Sequence, residues 1–102
     1  MNKVRQLGGL LARLEHKYGM DYHKLRILSM TSVYWEGDVP VRVTDILNAY
    51  EDASRATTHR AVRELVSVGL FREKIPDDDR RIKFLQPGLK FDALLKDIGK
   101  LL

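Results

Sequence analysis

The chain has 102 residues, of which 44% are hydrophobic and 31% are charged, and its formal net charge at pH 7 is +4. This length and composition predict one globular domain with a single core, and they argue against a disordered tail or a fibre. The sequence contains no cysteine, which excludes disulfides, thiolate metal sites and a cysteine nucleophile. Because no apolar run approaches the roughly 20 residues of a membrane span and no signal-peptide pattern follows Met1, we expect a soluble, cytoplasmic protein.

The positive charge is unevenly distributed along the chain. Residues 1–52 carry seven basic and seven acidic side chains, whereas residues 53–86 carry eight basic and five acidic ones. Such a concentration of charge in one segment predicts a surface that faces a polyanion, with nucleic acid as the first candidate.

The first predicted element is an amphipathic helix over residues 3–18, which is closed by Gly19 as a left-handed cap. Gly8 and Gly9 interrupt its pattern, and adjacent glycines are unfavourable inside a helix. Two explanations remain open: the regular helix begins near Leu10, or the glycines permit close approach of another helix.

The second predicted element is a helix from the N-cap Asp21 to about Trp35, which is apolar around most of its circumference and therefore belongs in the middle of the core. After a break at residues 36–40, the alternation of Val39, Val41 and Val43 predicts a short strand.

The next two predicted helices are joined by a short turn. Thr44 is the expected N-cap of a short helix that ends near Asp52, and Ser54 is the expected N-cap of a longer one that ends at Gly69. The inward stripe of the longer helix comprises Thr58, Ala61, Val62 and Leu65. So short a connection makes two helices cross steeply, as in a helix-turn-helix.

The C-terminal part predicts a hairpin and a last helix. Residues 70–75 and 81–86 are strand-like and are separated by turn residues 76–79. After Pro87 and Gly88, a helical stripe comprises Phe91, Leu94, Leu95, Ile98 and Leu102.

This order of elements predicts a fold that is mainly α with a small β-hairpin: a winged helix-turn-helix with flanking N- and C-terminal helices. We expect one domain over residues 1–102, with an N-terminal helix in 1–20, a DNA-binding core and wing in 21–86, and a C-terminal helix in 87–102. Each terminal helix is a candidate for dimerisation.

The outward face of the helix that begins after Ser54 is basic. Arginine can donate two bonds to the major-groove edge of guanine, threonine can contact a thymine methyl or a phosphate, and a helix N-terminus can approach a phosphate. Together with the basic hairpin, this face predicts a duplex DNA-binding site made of Ser54, Arg55, Thr57, His59, Arg60, Arg63, Arg80, Arg81 and Lys83. For any one of these residues alone, a solvated surface residue is the better interpretation, and it is their combination that favours DNA binding.

The same segment resembles the multiple-antibiotic-resistance regulator (MarR) family, and the chain resembles a short member of it. The residues that carry the resemblance are Ser54, Thr57, Arg60, Val62, Leu65, Gly69 and Leu70, followed by Asp77, Asp79, Arg80 and Arg81. The resemblance implies sequence-specific binding of duplex DNA as a dimer. It also implies that Arg81 enters the minor groove, that Arg60 contacts phosphates or base edges, and that Asp79 supports the wing through an ionic contact.

The apolar stripes at the two chain ends exceed what a small helix-turn-helix core can cover. We therefore expect a homodimer whose contacts include Leu7, Leu11, Leu14, Leu94, Leu95 and Ile98. Packing of both helices on their own domain is the alternative. A twofold dimer would place its recognition helices one DNA turn apart, and repression by occlusion is the expected mode of action.

The sequence gives no sign of catalysis or of a cofactor. His16, His23 and His59 lack the spacing of metal ligands, and no glycine loop for phosphate or nucleophile motif is present. We expect no enzyme activity, no metal and no cofactor, and the pattern does not specify a small-molecule effector. The alternative function is a winged-helix module for protein or RNA, which internal pairing of Arg60 and Arg63 with Glu64 or aspartates would favour.

Overall fold

The computed structural model describes residues 2–100 and contains five helices and one antiparallel hairpin. The elements are α1 (Lys3–Tyr18), α2 (Tyr22–Glu36), α3 (Val43–Ala49), α4 (Arg55–Ser67), β1 (Phe71–Lys74), β2 (Phe84–Pro87) and α5 (Phe91–Gly99). This order confirms the predicted fold class, a mainly α winged helix-turn-helix. Leu102, which was assigned to the last apolar stripe, and the outer limits of the 1–102 domain lie outside the described residues.

Helix α1 is continuous across its two glycines. The Asn2 side chain accepts a hydrogen bond from the Val4 amide at 2.9 Å, and Gly19 closes the helix in the left-handed region at φ 64°. A Cβ added at Gly8 would meet nothing within 4 Å. The first explanation is therefore wrong, because the helix does not begin late, and no other helix in the described part of the chain approaches the two glycines.

Helix α2 lies in the centre of the core and packs against α3 and α4. Asp21 accepts a hydrogen bond from the Lys24 amide at 2.8 Å, so the predicted N-cap is confirmed. Ile27 is fully buried, but Val33 is 65% exposed. Some apolar side chains of α2 therefore face solvent, and only part of its circumference is buried.

The valine segment before α3 does not form the predicted strand. Val41 accepts a hydrogen bond from the Leu85 amide at 2.8 Å, and the Val43 amide donates to Lys83 at 2.9 Å, but only one isolated bridge joins the segment to β2. Val43 is already the first residue of α3, and Val39 is half exposed. The segment is thus a single point of contact with the hairpin.

The N-cap of α3 is Arg42, not the predicted Thr44. The carboxylate of Asp45 accepts hydrogen bonds from the Arg42 amide at 2.8 Å and from its guanidinium at 3.4 Å. An acidic group in the first turn stabilises the positive end of the helix dipole, so the helix begins two residues early. It ends at Ala49 and not near Asp52.

Helix α4 agrees with the prediction at its start and along its buried face. Ser54 caps it by accepting a hydrogen bond from the Thr57 amide at 3.1 Å. The predicted inward residues Thr58, Ala61, Val62 and Leu65 are all buried. Because α4 packs on α2, α3 and β1 with this face, its opposite face is turned to solvent.

The hairpin is shorter than predicted. Strand β1 pairs with β2 in the register Phe71 with Pro87 and Lys74 with Phe84. Strand β2 begins three residues later than expected, because the Ile82 amide donates to Asp79 at 3.3 Å and holds residues 79–82 in a turn. The wing tip is therefore the loop over residues 75–83.

Helix α5 begins at Phe91 and rests on the end of the hairpin. The preceding Gly88 donates its amide to Leu70 at 2.9 Å, and a Cβ at Gly88 would collide with the Gly69 carbonyl. Leu94 is buried, and Asp97 pairs with Lys17 of α1 at 3.2 Å. The two terminal helices are thus joined at the C-terminal half of α1.

The core joins the helices to the hairpin through Trp35. Its ring contacts Phe71 and Phe91 edge to face with centroids 5.7 and 5.1 Å apart, and its Nε1 donates to the Leu85 carbonyl at 3.0 Å. Within residues 2–100, no helix is long and apolar enough to cross a membrane.

Candidate nucleic-acid interface

The outward face of α4 presents cations that are free of acidic partners. Arg60 and Arg63 are exposed, as is His59. Among residues 2–100, none of these three side chains has a hydrogen bond or an ion pair. Their guanidinium and imidazole groups are therefore available to a ligand.

Three of the predicted site residues at the start of α4 have structural roles as well. The Ser54 Oγ caps the helix and lies 2.9 Å from Thr57 Oγ1. Arg55 donates to the Asn48 side chain at 2.9 Å and so connects α4 to α3. Thr57 is half-buried. These residues shape the N-terminal end of the face, where the helix dipole favours an anion.

Two acidic residues, Glu64 within α4 and Asp52 just before it, are paired with cations of α2. Glu64 contacts the Lys24 ammonium at 2.5 Å, and Asp52 contacts Arg26 at 3.4 Å. The pairing of Arg60 or Arg63 with Glu64, which would favour a protein-interaction module, is thus not the arrangement found. The face keeps its positive charge.

At the wing tip, Asp79 is bound to Arg81. Its carboxylate accepts hydrogen bonds from the Arg81 amide at 3.1 Å and from the guanidinium at 3.1 and 3.2 Å. The Arg81 side chain nevertheless remains 91% exposed. The side-chain hydrogen bond from Arg81, followed by the backbone bond, lowers the pKa of Asp79 below its ordinary value.

The other wing residues differ in their availability. Arg80 is exposed and lacks a partner within the described chain, as do Asp77 and Asp78 beside it. The Lys83 ammonium lies 3.8 Å from the Glu73 carboxylate across the hairpin, which partly offsets the positive charge of Lys83. The wing tip therefore presents two arginines next to two unpaired carboxylates.

The residues predicted for dimerisation divide into two groups. Leu7 and Leu11 of α1 and Leu95 of α5 are 46%, 43% and 49% exposed, and Ile98 is partly buried. Leu14 and Leu94 are 3% and 1% exposed, because they pack in the chain's own core. For these two leucines the assignment to a dimer surface is corrected.

Two contacts at the base of the helix-turn-helix were missed by sequence reasoning. Lys24 reaches Glu64 of α4, and His23 Nδ1 lies 2.5 Å from the buried Tyr50 hydroxyl. Burial raises the pKa of Tyr50. Both contacts join α2 to residues 27 or more positions away, and no local pattern signals such a distance. In the part of the chain described, no cluster of His, Asp and Glu could hold a metal ion.

Comparison with solved structures identifies the fold. The structure of MarR superposes with a TM-score of 0.66 over 97% of this chain at 14% identity. The regulator BldR from Sulfolobus solfataricus gives 0.58 over 90% at 25% identity, and a transcriptional regulator from Thermotoga maritima gives 0.63 over 95% at 19% identity. The chain spans 69%, 63% and 68% of the lengths of these proteins. It has a MarR-like winged-helix fold.

No family model and no curated protein gives a significant match to this sequence. The similarity therefore rests on the structure of the chain.

Proposed function

We propose that the chain is a sequence-specific duplex DNA-binding transcriptional regulator that acts as a homodimer. The observation that carries the proposal is that Arg60 and Arg63 lie on the solvent face of α4 without acidic partners. The neighbouring Glu64 is bound to Lys24 of α2. The three similar structures are of transcriptional regulators, which supports the same function.

In this proposal α4 enters the major groove and the wing reaches the adjacent minor groove. Arg60 and Arg63 contact guanine edges or phosphates, and the N-terminal turn with Ser54 and Thr57 approaches the backbone. Arg81, held in orientation by Asp79, enters the narrow groove beside Arg80. Arg55 and Lys83 contribute charge at the edges of this surface, and His59 contributes an exposed imidazole.

A second copy of the chain completes the binding unit. The exposed leucines of α1 and α5 support this step, because one module alone has a small interface with DNA. In a twofold dimer the two α4 helices lie one DNA turn apart, about 34 Å, and read a pseudo-palindrome. Binding over a promoter would then repress transcription by occlusion.

Selection of bound sequences from a random duplex pool tests this proposal. We expect enrichment of two related half-sites with centres about 10 base pairs apart, and a protected footprint over both. The variant R60A/R63A should lose the enrichment, whereas R13A, which removes an exposed cation of α1, should keep it. Failure to enrich any duplex sequence would overturn sequence-specific binding.

A reporter assay separates repression from activation. With the selected site placed across a promoter, expression of the protein should lower transcription. Strong activation from a site placed upstream would contradict the occlusion mechanism and leave DNA binding intact.

A further inference from the structure

Lys24 lies at the start of α2 with 12% of its side chain exposed. Its ammonium donates to the Gly19 carbonyl at 2.9 Å, lies 2.5 Å from the Glu64 carboxylate and lies 3.9 Å from Asp21. The ammonium thus has two acceptor oxygens within hydrogen-bond distance, and the Asp21 carboxylate is a more distant ionic neighbour. Lys24 therefore connects the α1–α2 junction to the candidate DNA-binding helix.

The carboxylate that Lys24 binds has a second cation within reach. Glu64 follows Arg60 by four residues, which places it about 40° further around α4 and one turn along the helix. Side chains at this spacing are neighbours and form ion pairs when their charges are opposite. Arg60 has no such partner in the described chain because Glu64 is turned toward α2.

We propose that Lys24 is a positioning residue that withdraws Glu64 from Arg60 and so keeps the Arg60 guanidinium free for duplex DNA. The inference rests on the proposed function. Lys24 itself does not contact DNA in this account. It acts by binding the Glu64 carboxylate, which would otherwise pair with Arg60 and repel phosphates at the edge of the interface.

The test compares duplex affinities at low salt for four variants of the full chain. K24M should weaken binding about three- to tenfold, because Glu64 is released beside Arg60. The double variant K24M/E64Q should bind within about twofold of the wild type, because the released group then has no charge. K24R, which keeps the cation, should bind like the wild type.

K17M is the matched control, since it also removes one lysine and breaks one ion pair, here with Asp97 of α5. Its affinity should change less than that of K24M. If K24M acted by damaging the fold, E64Q would not restore binding, because the contact between α2 and α4 is absent in both variants. A double variant as weak as K24M would therefore overturn the proposal.

A measurement without DNA follows Arg60 directly. The side-chain Nε–H signal of Arg60 in ¹⁵N-labelled protein should shift in K24M and return to its wild-type position in K24M/E64Q. An Arg60 signal that is unchanged in K24M would contradict the proposal that Glu64 pairs with Arg60 once Lys24 is removed. Wild-type protein that fails to bind duplex DNA would instead contradict the proposed function, while the NMR signal still decides the pairing of Glu64.

Discussion

At the residue scale, the charge of the candidate interface depends on which ionised groups have partners. Glu64 of α4 is bound to Lys24, and Asp52 just before α4 is bound to Arg26. The side chains of Arg60 and Arg63 have no partner within residues 2–100. A net charge of +4 on the whole chain would be weak support for DNA binding. Stronger support for DNA binding comes from the pairing itself, because the carboxylates near α4 are neutralised by α2 while Arg60 and Arg63 keep their charge.

Asp79 provides a pH-dependent test of the wing. The pKa of Asp79 in the folded chain lies below its ordinary value of 3.8. The hydrogen bonds of its carboxylate to Arg81 therefore stabilise the wing fully at pH values above 3.8. That contribution is lost as the pH falls through the depressed value. We expect NMR titration of the Asp79 carboxyl to give a midpoint below 3.8 in the wild type.

The variant R81A should raise the pKa of Asp79 toward its ordinary value, because the guanidinium bonds disappear and only the backbone amide remains as a donor. R80A removes the adjacent, unpaired arginine and should leave the midpoint where it is. Equal shifts of the Asp79 pKa in R81A and R80A would indicate that the nearby positive charge lowers the pKa, and not the hydrogen bonds to Arg81.

At the element scale, the fold depends on how closely the hairpin meets the helices. Gly88 lies against the Gly69 carbonyl and the Phe71 backbone, so β2 can leave the sheet and enter α5 only if residue 88 lacks a side chain. The Lys90 amide then donates to Gly69 at 2.9 Å and fixes the start of α5. The start of the last helix thus depends on this close backbone contact.

G88A should lower the free energy of unfolding by about 1–3 kcal/mol, because the added methyl displaces packed backbone. Gly99 is the matched control, since a Cβ there meets nothing within 4 Å. G99A should leave stability unchanged or raise it by up to about 1 kcal/mol. Urea unfolding of both variants measures the two changes, and a G88A protein as stable as the wild type would contradict the close contact.

The elements that could be predicted from the sequence are those whose ends are fixed by local chemistry. Asp21 and Ser54 are ordinary capping residues, and both begin helices as predicted. Arg42 is not a capping residue, so the start of α3 depends on the Asp45 carboxylate and was missed. The late start of β2 depends on a turn closed by Asp79, which strand propensity does not report.

The candidate site shows the same division. Helical periodicity was sufficient to assign the outward arginines of α4, because it requires only the positions of the buried residues. The contact of Lys24 with Glu64 spans 40 positions and depends on how α2 crosses α4, so no sequence pattern predicted it.

At the scale of the whole molecule, the chain is elongated and one end of α1 is exposed. The chain measures 53 by 26 by 23 Å, and the first turns of α1 carry exposed apolar side chains, with Val4 76% exposed. Its C-terminal half is joined to α5 by Lys17 and Asp97. A free apolar helix end on a small basic domain supports association of two copies.

Sedimentation tests that association. The wild type should sediment at twice the chain mass of 11.8 kDa, and L7E/L11E should sediment as a monomer, because two charges would be buried in the interface. V33E changes an exposed valine of α2 and should remain dimeric. A monomeric wild type, or a dimeric double variant, would contradict a dimer formed through α1.

The central claim is that the surface formed by α4 and the wing binds duplex DNA. Fluorescence anisotropy with a mixed-sequence duplex and an equal-length single strand, at several salt concentrations, tests it most directly for the wild type and R60A/R81A. We predict preference for the duplex, affinity that falls steeply with salt, and weaker binding by the double variant. Absence of binding to either form at low salt, where electrostatic attraction is strongest, would contradict the claim.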